Sequence, residues 1–222
     1  MSFVVAIDGP AGTGKGTVTK IIAEDLGLVY IDTGAMYRCV ALEAMKRQVE
    51  PEESTELFEI LDSIEIAFKK NGMLQETWLN GENVSNEIRS AMIDAKVDKF
   101  AALKCVRDKM TPLQRKMGET SKIIIEGRDC GTVIFPDADV KIYLDCSMEE
   151  RANRRYKQYL EKGIKATYEE VLENIKQRYK IETQREIAPL RKAEDAILVD
   201  STKLTIEEVV AEIEKIINEK VS

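Results

Sequence analysis

The 222-residue sequence has no histidine, one tryptophan and only five prolines. Without histidine there is no imidazole general base, no histidine metal ligand and no histidine pH switch. The four cysteines, Cys39, Cys105, Cys130 and Cys146, are widely spaced and form no C-x-x-C pair. That pattern excludes a zinc knuckle or a thioredoxin-like motif and points to free thiols in a reducing compartment. No apolar run approaches the length of a membrane span, and no basic region precedes the first strand-like stretch, so the expectation is a cytoplasmic chain with no membrane partner. Positive charge is in deficit: 33 Lys and Arg stand against 40 Asp and Glu, a formal net charge of −7. Such a field repels polyanions and argues against a nucleic-acid partner, so a phosphate ligand must be held by local arginines.

One such arrangement lies near the amino terminus. The apolar run Phe3-Val4-Val5-Ala6-Ile7 is followed by Gly9-Pro10-Ala11-Gly12-Thr13-Gly14-Lys15-Gly16-Thr17, and Val18, Ile21, Ile22 and Leu26 then fall on one helical face. A glycine-rich loop between strand and helix turns successive N–H groups inward, the helix N-terminus adds partial positive charge, and Lys15 supplies a point charge for β- and γ-phosphates. Gly27 stands where a glycine ends the helix. Gly16 occupies the usual place of the magnesium-binding Ser or Thr, with Thr17 one position later. The Gly-Lys-Gly-Thr ending is typical of nucleoside monophosphate kinases.

Four further apolar runs read as buried strands: Leu28 to Ile31, Lys122 to Ile125, Val140 to Leu144 and Ala196 to Val199. Helical stretches between them imply an α/β fold, a doubly wound five-stranded parallel sheet with helices on both faces and ligands at the carboxyl ends of the strands. Residues 64 to 84 break the pattern. Alternation over Ile64 to Phe68, a second strand from Met73 to Leu79 and the turn pairs Asn71-Gly72 and Asn80-Gly81 predict a small antiparallel meander. It is flanked by helix-like stretches near 35 to 48 and 91 to 118. Capping-box spacings at Ser147-Met148-Glu149-Glu150 and Thr167-Tyr168-Glu169-Glu170 begin a helical hairpin, and Thr205-Ile206-Glu207-Glu208 begins a closing helix. The expected organisation is a single domain. Its core comprises about 1–34, 119–147 and 186–222, its acceptor-site region with the β insert about 35–118, and its lid hairpin about 148–185.

The candidate chemistry follows that layout. Lys15 is expected to neutralise the transferring phosphoryl group; Thr17 and Glu126 are candidate magnesium positions, directly or through water. Arg151, Arg154 and Arg155 share one side of the hairpin's first helix, where they fit either a lid closing over phosphates or a solvated face beside Glu149 and Glu150. Arg178, Glu182 and Arg185 recur at i, i+4 and i+7, equally suited to an exposed salt-bridge ladder or to a substrate face. Arg38 and Arg107 could each take a phosphate bidentately. Glu126-Gly127-Arg128-Asp129 ends the third core strand, where substrate and magnesium contacts are expected.

Taken together these motifs resemble bacterial-type cytidylate kinases. The resemblance is carried by Ile7-Asp8-Gly9-Pro10 with Gly14-Lys15-Gly16-Thr17, Asp32-Thr33-Gly34-Ala35-Met36-Tyr37-Arg38, Gly127-Arg128-Asp129-Cys130-Gly131-Thr132, Val140 to Leu144, Glu149-Glu150-Arg151-Ala152 and Arg185-Glu186-Ile187-Ala188-Pro189-Leu190. It runs through nearly the whole chain. It implies ATP-dependent, magnesium-assisted phosphorylation of CMP, and of dCMP. No apolar surface stripe demands a partner, so a monomer is the default expectation. Carried over by position, Gly9 through Thr17 would bind ATP, and Lys15, Arg128, Arg151, Arg154 and Arg155 would serve catalysis. Thr33, Arg38, Asp98, Arg107, Gly127, Arg128, Asp129, Arg178, Glu182 and Arg185 would bind the acceptor nucleotide. Asp98 stands where the family usually has Ser, and Glu182 and Tyr179 where it usually has Asp. Asp98 and Glu182 could each accept a hydrogen bond from cytosine's exocyclic amine. The alternatives are a P-loop kinase of another small acceptor, UMP or a shikimate-like metabolite, and a non-catalytic nucleotide-binding switch.

Overall fold

The structure, a computed structural model, describes residues 3–71, 74–119, 121–161 and 163–221. In chain order the elements are β1 (Phe3–Asp8), α1 (Lys15–Asp25), β2 (Val29–Asp32), α2 (Thr33–Lys46), α3 (Thr55–Ser63), β3 (Ile66–Asn71), β4 (Leu74–Leu79) and β5 (Glu82–Asn83). They continue with α4 (Ala91–Ala102), α5 (Lys104–Gly118), β6 (Lys122–Gly127), β7 (Val140–Asp145), α6 (Met148–Glu161), α7 (Tyr168–Gln184), β8 (Ile197–Asp200) and α8 (Ile206–Val221). Two compact units result, one of Met1–Tyr30 with Gly118–Ser222 and one of Ile31–Met117.

In the first unit the five core strands lie in the order β2-β6-β1-β7-β8, and β1 pairs in parallel with both β6 and β7, as β7 does with β8. The central strands are buried on both sides, which is why their sequences are continuous apolar runs rather than alternating ones. Val18 and Ile22 of α1 and Val209, Val210, Ile213 and Ile217 of α8 pack with Val5, Ile7, Ile142 and Leu144. Helix α1 ends in a Schellman motif: Gly27 is left-handed at φ 63°, its N–H donates to the Glu24 carbonyl, and Leu28 N–H donates to Ala23 at 2.8 Å.

The two helices of the hairpin start differently. Thr167 and Glu170 form the full reciprocal box at the start of α7, as Thr205 and Glu208 do for α8. At α6 only half of the expected box exists. Ser147 Oγ accepts Glu150 N–H at 3.1 Å, but the Glu150 carboxylate is held by Arg154, and Ser147 N–H goes to Thr202 Oγ1 at 2.9 Å.

The second unit has its own core, in which Met36, Val40, Leu57, Ile60, Ile88, Val97, Phe100 and Met110 are buried together. Its small sheet, order β3-β4-β5, is antiparallel as expected. Asn80 and Gly81, at φ 49° and 84°, are both left-handed, as a tight type I′ connection requires. Of the expected Asn71-Gly72 turn, Asn71 is instead the last residue of β3, paired with Leu74, and Gly72 lies outside the described residues. Two helices differ from expectation. Helix α3 is an addition to the expected elements: Ser54 caps it by accepting Leu57 N–H, and Leu57, Ile60 and Leu61 form its buried face. The stretch 91 to 118 is two helices, broken at Leu103, whose backbone turns extended; Arg107 donates to the Ala101 carbonyl at 3.0 Å and so satisfies the freed end of α4.

Candidate active site

The loop between β1 and α1 wraps the start of the helix. Gly14 precedes α1 at φ 89° and its carbonyl accepts from Thr17 and Val18, so the N–H groups of Lys15 and Gly16 have no acceptor within the helix. Gly9 is required by packing, because a Cβ there would run into the Leu144 carbonyl of β7. Lys15 is buried, with Nζ donating to the Pro10 carbonyl at 2.7 Å and lying 3.4 Å from Thr13 Oγ1. Burial, then the Arg128 charge, lowers its ammonium to about 7, while Glu126, Glu182 and Asp8 oppose the shift.

Glu126, at the end of β6, is buried against this loop: a Cβ on Gly16 would stand 3.0 Å from its Oε1, which also accepts from the Tyr30 hydroxyl. Thr17 is on the exposed side of the first turn of α1. Asp8, at the end of β1, accepts the backbone N–H groups of Cys130 and Gly131, each at 2.7 Å. It thereby fastens the turn that follows Arg128 and Asp129. Burial lifts its carboxyl to about 6 against the lowering effect of those two bonds.

The expected charged face of α7 is not a solvated ladder. Glu182 is 2 % exposed, and its Oε1 lies 2.9 Å from Arg128 Nε and 3.3 Å from Arg178 Nε. Burial pushes this carboxyl up, but Arg128 and Arg178 outweigh it and hold it below the usual range. Glu182 Oε2 is buried with no hydrogen-bond partner among the described residues. Arg185 donates to the Ala188 carbonyl at 2.7 Å and lies 3.8 Å from the buried Asp129. Arg128, Arg178 and Arg185 are therefore brought together on two carboxylates beside Gly127.

The three hairpin arginines have different partners. Arg154 donates to Glu150 at 2.8 Å, to the Thr13 carbonyl of the loop at 3.0 Å and to the Ser201 carbonyl at 2.7 Å. Arg151 is buried with its guanidinium over the Tyr179 ring, whereas Arg155 stacks on Tyr159 and reaches Gln158. Positions i, i+3 and i+4 share a side of the helix but not a destination.

In the second unit, Asp32 caps α2 by accepting Ala35 N–H at 2.9 Å and pairs with Arg89 at 2.5 Å; Thr33, the first helical residue, is buried. Arg38 donates to the Ile88 carbonyl at 2.9 Å and pairs with Asp94 at 2.5 Å, one helical turn before the half-buried Asp98. Arg107 is buried over the Tyr37 ring at 5.2 Å. The sequence motifs include Asp8 but assign no role to it, and they include neither Arg89 nor Asp94. Only the position of Asp8 as the last strand residue before the loop could have pointed to it.

A family model described as cytidylate kinase matches residues 5–219. The chain belongs to the cytidylate kinase family. Curated cytidylate kinases of Thermosipho melanesiensis and Thermosipho africanus are 47 % and 49 % identical to it; the alignments cover 97 % of this chain in both cases, and 97 % and 95 % of the relatives. A crystal structure of shikimate kinase from Bacteroides thetaiotaomicron shares the fold, with a TM-score of 0.51 at 12 % identity over 98 % of this chain and 99 % of that one. As a cytidylate kinase family member the protein is an enzyme, a nucleoside monophosphate kinase, and its ligands are small nucleotides. Among the described residues no helix is long and apolar enough to cross a membrane.

The donor set fits magnesium. Among the described residues no three Cys, Asp or Glu side chains gather into a metal cage. What the loop offers is hard oxygen: the Glu126 carboxylate against Gly16, and the Thr17 hydroxyl on the first turn of α1. Magnesium keeps most of its waters and relies on one or two carboxylates with substrate phosphates, which this sparse set matches.

Proposed function

We propose that the enzyme transfers the γ-phosphoryl group of ATP to CMP, and to dCMP, with magnesium. The observation that carries this reading is the gathering of Arg128, Arg178 and Arg185 on the buried carboxylates of Glu182 and Asp129, in the same unit as the phosphate loop. An enzyme needs such preorganised cations for the charge of a transferring phosphoryl group and its acceptor, whereas a switch that only binds nucleotide has no use for them.

In this reading the N–H groups of the loop, Gly9 to Thr17, hold the donor phosphates, and Lys15 leaves the Pro10 carbonyl to meet them. Arg128 bears on the transferring group and Arg151 on the donor side, while Arg154 keeps α6 on the Thr13 carbonyl. Arg155, turned toward Tyr159, joins the donor only if the hairpin, about 148–185, moves as a lid. Thr33, Arg38 and Arg107 of the second unit are assigned to the acceptor, the arginines to its phosphate. Gly127, Asp129, Arg178 and Arg185 are assigned to the acceptor as well. Asp98 and the open Oε2 of Glu182 are the acceptors for cytosine's amine or a sugar hydroxyl. Glu126 and Thr17 would hold magnesium through its waters, and bound there it would neutralise phosphate charge. The reading includes a cytoplasmic monomer; the four buried, free cysteines are in keeping with it.

A coupled assay with magnesium-ATP and a panel of CMP, dCMP, UMP, AMP and shikimate tests the proposal. Turnover highest with CMP is expected. Highest turnover with UMP or shikimate overturns the acceptor assignment, and binding without turnover favours the switch.

A further inference from the structure

Arg151 is 4 % exposed, yet its Nε meets no hydrogen-bond acceptor and its guanidinium forms no ion pair among the described residues. One turn along α6, Arg154 has a carboxylate and two carbonyls. Arg151 has instead the ring of Tyr179 from α7, its guanidinium carbon 4.9 Å from the ring centre. A ring face attracts a cation through its quadrupole but does not neutralise it. The Tyr143 hydroxyl of β7 lies in the same electrostatic neighbourhood, its ionisation opposed by burial, Asp145 and Tyr179 and favoured by Arg151.

The backbone of Arg151 is seated on the phosphate loop. A Cβ at Gly12 would stand 3.1 Å from the Arg151 Cβ and 3.3 Å from its carbonyl oxygen. Burying a guanidinium without a counter-charge is costly, and this one lies beside a loop shaped for phosphate. We propose that Tyr179 is a positioning residue of the donor site, holding Arg151 in place and unneutralised so that the phosphates of the nucleotide supply its first counter-charge. A carboxylate in place of the ring would pair with Arg151 in the free enzyme and would have to be exchanged for phosphate. The inference rests on the ATP-dependent reading above and adds to it a residue chosen by this chain.

The test is calorimetric titration of the whole protein with ATP, beside steady-state kinetics and melting curves. Tyr179→Phe keeps the ring face and is expected to bind ATP within about twofold of wild type. Tyr179→Leu is expected to raise Kd and KM for ATP about tenfold, equivalent to about 1.4 kcal/mol, with kcat changed less than about threefold. Tyr179→Met serves in its place if the Leu variant melts early. In an Arg151→Met background the Leu substitution is expected to add nothing. Unchanged ATP affinity in the Leu variant, an equal loss in the Phe variant, or a persisting loss in the Arg151→Met background overturns the proposal. Because ATP binding is read without an acceptor, a wild type that binds ATP but leaves CMP unphosphorylated defeats the acceptor reading alone; a wild type that binds no ATP defeats both.

Discussion

The ammonium of Lys15 lies 2.7 Å from the Pro10 carbonyl, lowered to about 7 first by burial and then by Arg128. Its folded value is below the unfolded one of 10.5, so the unfolded chain binds more protons between these limits. The sign follows: this residue costs stability below about pH 7, and the cost is relieved as pH rises toward 10.5. Lys15→Met is therefore expected to melt a few degrees higher near pH 6.5 while losing at least about a thousandfold in kcat. A variant of normal activity would remove Lys15 from the mechanism. Bound phosphate favours the charged form, so ATP binding near pH 8 should take up a proton, read as a binding enthalpy that changes with the buffer's ionisation enthalpy. A buffer-independent enthalpy would contradict that linkage.

Asp8 shows the opposite shift. Its folded value near 6 exceeds the ordinary carboxyl value of 3.8, so the stability it contributes is present below about pH 4 and is lost as pH rises through 6. The ionised form nevertheless holds Cys130 and Gly131 N–H, and with them the turn after Asp129. Asp8→Asn keeps the shape but replaces one acceptor with a donor. Stability should become flatter between pH 4 and 6, while activity at pH 8 falls about tenfold, the scale of one charge-assisted hydrogen bond. Unaltered activity at pH 8 would make the contact purely structural.

At the scale of elements, α6 and α7 show how one spacing yields unlike roles. Arg154 ties α6 to the Thr13 and Ser201 carbonyls, whereas Arg151 has only the Tyr179 ring. Arg154→Met should thus lower the melting temperature by several degrees as well as activity, by stranding two carbonyls and the Glu150 carboxylate. Arg151→Met should melt no lower than wild type and lose ATP affinity, because an unpaired buried charge is removed. Equal melting losses in both variants would erase the distinction. The reciprocal box at Thr167 and Glu170 was legible because both partners lie within four residues. The half-formed box at Ser147 was not, because Thr202, 55 residues away, takes the N–H that Glu150 was expected to take.

For the molecule as a whole, a net charge of −7 means that an anionic nucleotide approaches against the average field, and in the proposed reading it is the local arginine cluster that captures it. Sedimentation velocity over a wide concentration range is expected to show one species of monomer mass; a concentration-dependent dimer would overturn the monomer reading. The five core strands, the phosphate loop, the closing helix and the meander were readable because each is written locally, as an apolar run, a glycine spacing, a 3.6-residue stripe or an alternation. The fold class, the glycine-rich loop between β1 and α1 and the family were thus legible in the residues alone. Folding alone buries Glu182 between Arg128 and Arg178, breaks the long helix at Leu103, sets Asp8 on a turn 122 residues away and brings Tyr179 under Arg151. Periodicity places a charged residue on a face of its own helix. The partner that settles whether its charge is neutralised, shared or left for a ligand comes from a distant part of the chain, and only folding brings the two together.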